Sequence, residues 1–436
     1  MVPVILAIAF FAVATFAVIR LPFLHPLQLW SVPWAVSTSL FAMHLLPYRP
    51  LSSSTALLIA GCTACFAAGL VVAARKHAPA RPPRWEVMTG ADDARASIET
   101  AARLAVALTA VGLTLFLGEL TARYGLRDAI INSPRVRLDL AAGTASLTIK
   151  YLYAGYAAAA LCGLAAALAG APARRVWLGL GVLVVLSQYF TTGRSNIVLA
   201  ALVFAVAEGL ARRRGPSPRL LLAGATTLAV FVLMVFTIGG AIIGKTLANN
   251  PLGDVASPLT EHRLLRPFAL PYQYASAPLP ALERQVAAAA STEDAYGCAT
   301  FSTVCRIGAY AGLDVRPEPL IRPFTKAPLP WNTYTALDLP LIDGGPVFAL
   351  AFFTLIGWLA GVLWQHAREG MALSVVLYAI YSSALLYSVI QNNFFAPHVV
   401  GACLLAALLL WTGRLVRRRH TTNPHGIGRA RLLGGS

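Results

Sequence analysis

The sequence predicts an all-α fold, a polytopic bundle of membrane helices carrying one long extracytoplasmic loop. Three observations predict it. Of 436 residues, 57% are hydrophobic and only 12% charged, against about a quarter charged in soluble domains. The mean hydropathy is +0.67. Apolar runs close to the roughly 20 residues that cross a bilayer recur along the chain. In hydrocarbon such runs must be helices, because the backbone finds no other hydrogen-bond partner there. These figures exclude an ordinary soluble protein.

The formal charge is +17. In a membrane chain, basic residues are first of all topology signals rather than a nucleic-acid surface. Four clusters follow apolar runs: Arg75, Lys76, Arg81 and Arg84; Arg174 and Arg175; Arg212 to Arg214 with Arg219; and Arg414 with Arg417 to Arg419. They mark the cytoplasmic side.

Taken in order, residues 1–19 are apolar with no basic residue before them. That differs from a cleaved signal peptide, so a retained helix entering from outside is expected. Residues 31–48 return outward and 53–74 inward. Residues 75–99, rich in Pro, Ala and charge, read as a cytoplasmic linker. Spans follow at 101–121 and 147–170, with an outer loop between them. Residues 176–190 and 195–210 form a hairpin whose outer turn is Thr191-Thr192-Gly193-Arg194. A span at 220–244 reaches the outer side. Three more, at 340–365, 371–390 and 399–411, end inside at a basic tail expected to be disordered. The total is about eleven spans. The chain therefore divides into an N-terminal bundle (1–244), a large outer loop (245–340), C-terminal helices (341–413) and a cytoplasmic tail (414–436).

The outer loop holds eight basic and eight acidic residues. A loop of that length in a compact protein is functional or partly folded. Residues 279–290 have helical composition, suited to lying on the membrane surface or to packing over the bundle. Cys298 and Cys305 are the two loop cysteines, and oxidising surroundings favour a disulfide between them. Cys62, Cys65, Cys162 and Cys403 fall in apolar spans and read as inert packing residues.

Two constellations carry chemistry. Gly193-Arg194-Ser195 sets a guanidinium where two helices meet the outer face. A cation there is costly without an anion, and Arg suits bidentate phosphate binding. Arg135, Arg137, Arg263 and Arg266 share that side. The second constellation is Trp331-Asn332-Thr333-Tyr334-Thr335 followed by Asp343-Gly344-Gly345. Trp331 offers a stacking platform, and Asn332, Tyr334 and Thr335 offer groups that orient a sugar. Asp343 reads either as a helix-dipole partner or, with Glu261 and His262, as a candidate general base. No cluster has metal-ligand spacing, no Gly-rich phosphate loop or nucleophile elbow appears, and no cofactor is expected.

The order of the Gly193-Arg194-Ser195 hairpin, Leu270-Pro-Tyr-Gln-Tyr274, Pro278-Leu-Pro280, Asn332-x-Tyr334-Thr335 and Asp343-x-Gly345 resembles the oligosaccharide repeat-unit polymerases (Wzy-type O-antigen polymerases). The family often has an aromatic between the Asp and Gly and a further Gly three residues on, where this chain has Gly344 and Phe348. The resemblance implies a glycosyltransferase-C-like bundle in the plasma (inner) membrane with its site on the outer face. It implies polymerisation of polyprenyl-pyrophosphate-linked oligosaccharides into a surface polysaccharide, with a chain-length regulator and a flippase as further partners. Arg194, with Arg263 or Arg266, would then clamp the pyrophosphate without a metal. A ligase of lipid-linked glycans is the nearest alternative. A transporter would need more charged or helix-breaking residues deep within its spans.

Overall fold

The computed structural model describes residues 1–76, 91–131, 136, 148–191, 194–212, 234, 237, 251–288, 297–315, 325–326 and 330–421. These residues are overwhelmingly helical. The first half contains α1 (Val2–Arg20), α2 (Pro26–Ala42), α3 (Ser53–Lys76), α4 (Ala91–Tyr124), α5 (Leu126–Ile131), α6 (Thr148–Leu168), α7 (Ala171–Ser187) and α8 (Arg194–Ala211). Four shorter helices follow: α9 (Pro258–Glu261), α10 (Ala269–Ser276), α11 (Pro278–Ala288) and α12 (Ser302–Tyr310). The chain closes with α13 (Asp338–Arg368), α14 (Ala372–Tyr387) and α15 (Pro397–Thr421). Among the described residues the one sheet-like pairing is antiparallel, Thr325–Lys326 with Pro330–Trp331.

Five helices, α1, α3, α4, α13 and α15, contain segments long and apolar enough to cross a membrane. Helices α6, α8 and α14 carry shorter apolar segments. The span expected at 220–244 lies outside the described residues apart from 234 and 237.

Local chemistry moves several boundaries from where hydropathy put them. Helix α2 starts at Pro26 rather than residue 31 because His25 caps it. The His25 Nδ1 accepts from the Leu27 amide at 3.2 Å, and Gln28 Oε1 accepts from the His25 amide at 3.3 Å, a reciprocal capping box. Helix α4 starts at Ala91, inside the stretch read as a linker, where Arg95 and Glu99 pair at 2.9 Å one turn apart. Helix α13 is interrupted at Gly344 and Gly345, the latter at φ 69°, a left-handed conformation that glycine adopts at no steric cost. Helix α15 runs on to Thr421. The expected disorder of the basic tail therefore fails for 414–421. Arg is a good helix former, and cations near a helix C-terminus complement its dipole.

Helix α6 is the centre of the bundle. Every residue from Ala154 to Ala166 is buried, against α4, α7, α8, α14 and α15. A helix apolar on all sides belongs in such a place, and its Ala and Gly content lets neighbours come close. A Cβ at Gly163 would run into the Phe204 carbonyl of α8. The most extensive pairing is α3 with α13. There Gly69 and Ala73 meet Gly357 and Gly361, and a Cβ at Gly69 or Gly357 would strike the other helix's backbone at Thr354 or Phe66. Beside this crossing Trp30 stacks on Phe66 at 4.8 Å and on Trp34 at 5.7 Å.

The stretch 258–288 is folded onto the bundle. Leu279 and Leu282 are fully buried and belong to the main core, so α11 packs over the bundle instead of lying on the membrane surface. Tyr272 donates its hydroxyl to the Leu40 carbonyl at 2.7 Å and accepts from the Leu45 amide at 3.1 Å. Tyr48 and Ser276 join at 3.0 Å, and Glu283 accepts from the Ser52 amide at 2.9 Å and its hydroxyl at 3.0 Å. Burial pushes the phenols of Tyr48 and Tyr272 up, so both remain neutral donors. Elsewhere Glu208 of α8 accepts from Arg174 of α7 at 3.0 Å and from Arg212, closing the α7–α8 hairpin at the end away from its turn.

Candidate functional site

The hairpin turn between α7 and α8 places the first residues of α8 against three other elements. Tyr156 of α6 donates to Asn196 Oδ1 at 3.2 Å. The Tyr387 hydroxyl of α14 is hydrogen-bonded to the Ser195 side chain and lies within electrostatic reach of Tyr274 and Tyr156. Tyr274 of α10 stands edge-on to Trp331 with ring centroids 5.0 Å apart. His398 of α15 approaches Tyr156 at 5.8 Å. The start of α8 at Arg194 and the segment that begins at Trp331, 331 − 194 = 137 positions apart in the sequence, are thus linked by the Ser195–Tyr387 hydrogen bond, the electrostatic reach of Tyr387 to Tyr274 and the Tyr274–Trp331 ring contact. The result is a largely buried face of aromatic rings, hydroxyls and an amide.

Next to it are buried polar atoms with no hydrogen-bond partner among the described residues: Gln273 Oε1, Trp331 Nε1 and Thr333 Oγ1. Buried polar groups are ordinarily paired.

The candidates named from sequence separate into three groups. Trp331, a core residue at 7% exposure, and half-buried Asn332 border this face. Tyr334 and Thr335 are buried at 5% and 1% exposure, and Thr335 works on the protein itself. Its Oγ1 accepts from the Leu337 amide at 3.3 Å, and its carbonyl accepts from the Asp338 amide at 3.2 Å, opening α13. The next residue is clamped as well: the Ala336 amide donates to the Ser388 carbonyl at 2.6 Å, and Asn392 Nδ2 donates to the Ala336 carbonyl at 3.0 Å. Arg263 and Arg266 are exposed. Arg266 Nε donates to the Thr260 carbonyl at 2.8 Å, and this segment packs chiefly on α9 and α10. Glu261 and His262 are exposed beside it. Arg135, Arg137 and the side chain of Arg194 lie outside the described residues.

Asp343 has a defined task. Its two oxygens accept from the amides of Ala299 at 3.1 Å and Thr300 at 2.6 Å. Those amides belong to the turn closed by the Cys298–Cys305 disulfide, whose Cα atoms are 5.5 Å apart. A carboxylate gripped by two backbone donors positions a loop. Among the described residues no group of three or more His, Cys, Asp or Glu is placed to hold a metal.

Hydropathy and spacing missed Tyr156, Asn196 and Tyr387, and named Ser195 only as the neighbour of Arg194. Tyrosines near the ends of apolar runs read as membrane-interface residues, and nothing in one dimension says that they meet. No family model, no curated protein and no solved structure matches this chain.

Proposed function

We propose that the protein is a glycosyltransferase of the bilayer that polymerises polyprenyl-pyrophosphate-linked oligosaccharide repeat units on the outer face of the plasma membrane. On this reading the five long helices, together with α2, α6, α7, α8 and α14 and the segment at 220–244, make up about eleven spans. The observation that carries the reading is that Ser195, beside Arg194, is hydrogen-bonded to Tyr387, which lies within electrostatic reach of Tyr274, itself edge-on to Trp331. A phosphate-binding residue type and a sugar-stacking platform then serve one substrate with a pyrophosphate at one end and a glycan at the other.

The reaction balances simply. An acceptor hydroxyl oxygen bonds to the anomeric carbon of the donor glycan, and the bond from that carbon to the pyrophosphate oxygen breaks. The electron pair leaves with the polyprenyl pyrophosphate, and the acceptor proton passes to a base. Charge developing on the leaving oxygen is stabilised by a positioned guanidinium, assigned to Arg194 with Arg263 or Arg266 as its partner. Trp331, Asn332 and the tyrosine face hold the sugars. Asp343 is assigned a positioning role at the disulfide turn in place of proton transfer.

The test is extension of a polyprenyl-pyrophosphate-linked repeat unit by purified protein in proteoliposomes without added metal. Wild type is expected to give a ladder of lipid-linked oligomers, and both Arg194→Ala and Arg194→Lys to lose it by at least a hundredfold, since a removed oxyanion-type donor costs on the order of 10²–10³ in rate. A wild type that makes no oligomer but carries the lipid-linked glycan across the vesicle membrane overturns the proposal in favour of transport.

A further inference from the structure

Helix α12 turns its apolar side chains outward. Val304 and Ile307 are each 61% exposed and Tyr310 is 92% exposed, at the three-residue spacing that lines one side of a helix. Leu313, just beyond, is 62% exposed, and no residue of the helix is fully buried. A helix on the surface of a soluble protein does the opposite and faces its apolar stripe to the core.

The opposite side of this helix is firmly attached. Thr303 donates to the Phe395 carbonyl. Phe301 meets the rings of Phe395 at 4.8 Å, Phe352 at 6.1 Å and Phe348 at 6.5 Å. The disulfide and the two amides held by Asp343 fix the preceding turn. The outward apolar face is therefore the orientation in which the helix is docked.

Its depth follows from α13. Between the break at Gly344–Gly345 and the end of the helix lie residues 346–368, and 368 − 346 + 1 gives 23 residues. At about 1.5 Å per residue that is about 34 Å, just over the roughly 30 Å of bilayer hydrocarbon. With α13 as a span, the break stands at the boundary between hydrocarbon and headgroups, and exposed Pro346 and Val347, the latter at 78%, follow it directly. Asp343, one residue before the break, ties the α12 turn to that level. Phe301, at the start of α12, meets Phe348 and Phe352 of α13 just past that level.

We infer that α12 is an interfacial membrane helix, with Val304, Ile307 and Tyr310 seated in the headgroup–acyl boundary of the phospholipid leaflet at the outer end of α13. Tyr310 suits this depth, having an apolar ring and a polar tip. The inference rests on reading the five long helices as membrane spans and is independent of the proposed glycosyl transfer.

Two experiments test it without measuring activity, so their failure leaves that chemistry standing. In the first, Ile307→Cys is made in a background with Cys62, Cys65, Cys162 and Cys403 replaced by Ala, labelled with an environment-sensitive nitrobenzoxadiazole dye and reconstituted into phosphatidylethanolamine–phosphatidylglycerol vesicles. Quenching by spin-labelled lipid is expected within about twofold of that at Val347→Cys, with little quenching by aqueous iodide. Strong iodide quenching without lipid quenching overturns the inference, and so does protection from both, which would mean that protein covers the face. In the second, unmodified wild type is photolysed in vesicles containing a diazirine lipid. Lipid adducts are expected on the peptide spanning 302–313. Adducts near Val347 with none on that peptide overturn the inference and need no variant to fold.

Discussion

Asp343 shows how a single residue changes meaning between sequence and structure. Preceding a Gly-Gly pair at the head of an apolar run, it reads equally as base or dipole partner; two backbone amides give it an anchoring task. Hydrogen bonds to a charged group contribute roughly 1.5–3 kcal/mol each. Asp343→Ala should therefore accelerate amide hydrogen exchange of the 297–301 turn by tenfold or more, with Asp343→Asn intermediate because its one amide oxygen still accepts. Unchanged exchange in Asp343→Ala would return the carboxylate to the catalytic candidates. His25 gives a pH dependence at the same scale. Burial and then the nearby Arg368 push its imidazole from 6.5 down to about 4. Neutral Nδ1 is the acceptor that caps α2. The unfolded chain thus takes up this proton at higher pH than the folded one, and stability rises with pH through that window. His25 contributes full stability above about pH 6.5 and loses it as pH falls toward 4. Thermal melting of wild type minus His25→Asn, which caps but does not titrate, should show that decline and level off below pH 4. A flat difference between pH 7 and 4 would refute the assignment.

Between elements, the α3–α13 crossing depends on the absence of side chains. Gly357→Ala sets a methyl against the Phe66 carbonyl and Gly69→Ala one against the Thr354 carbonyl. Neither obstacle is a flexible side-chain end, so the helices must part. Overpacking of this kind costs about 1–3 kcal/mol, and the expected result is a clear fall in melting temperature for each variant in detergent. Gly179→Ala in α7 is the control, because a Cβ there meets nothing within 4 Å; it should be neutral or slightly stabilising, as Ala is the better helix former. An equal fall in Gly179→Ala would show a general intolerance of α-helical glycine replacement instead of a tight crossing. Most helices were legible from hydropathy because burial in lipid and in protein favour the same apolar residues. Their ends were not. Caps such as His25–Gln28 and breaks such as Gly344–Gly345 are polar or conformational events that an apolar average smooths away. Small residues four apart, Gly69 with Ala73 and Gly357 with Gly361, stand in plain sight in the sequence, but which helix each meets is a property of the fold.

At the scale of the molecule, 258–288 is the piece whose behaviour was least legible, because its attachment is polar and distant in sequence. Four polar attachments hold it to the α2–α3 end: Tyr272 at Leu40 and Leu45, Ser276 at Tyr48, Glu283 at Ser52, and the Ala275 carbonyl, which accepts from the Ser37 hydroxyl. The Arg194 and Trp331 segments could each be picked out by residue type, yet the tyrosine face between them exists only once Tyr274 is carried into place on α10. Glu283→Ala with Tyr272→Phe removes most of the polar attachment while leaving the buried Leu279 and Leu282 in the core. The bundle core is centred on α6 and shares no hydrogen bond with these two positions among those described. Regions held by few such contacts open below the global unfolding free energy. In the double variant α10 and α11 should therefore lose hydrogen-exchange protection by about tenfold or more while the peptides of α6 keep theirs. If Tyr274 must stand against Trp331 for a glycan to bind, oligomer ladders should shorten in parallel even though Arg194 is untouched. Loss of protection throughout α6 would instead make 258–288 an inseparable part of the bundle, and full activity with an opened α10 would remove Tyr274 from the site.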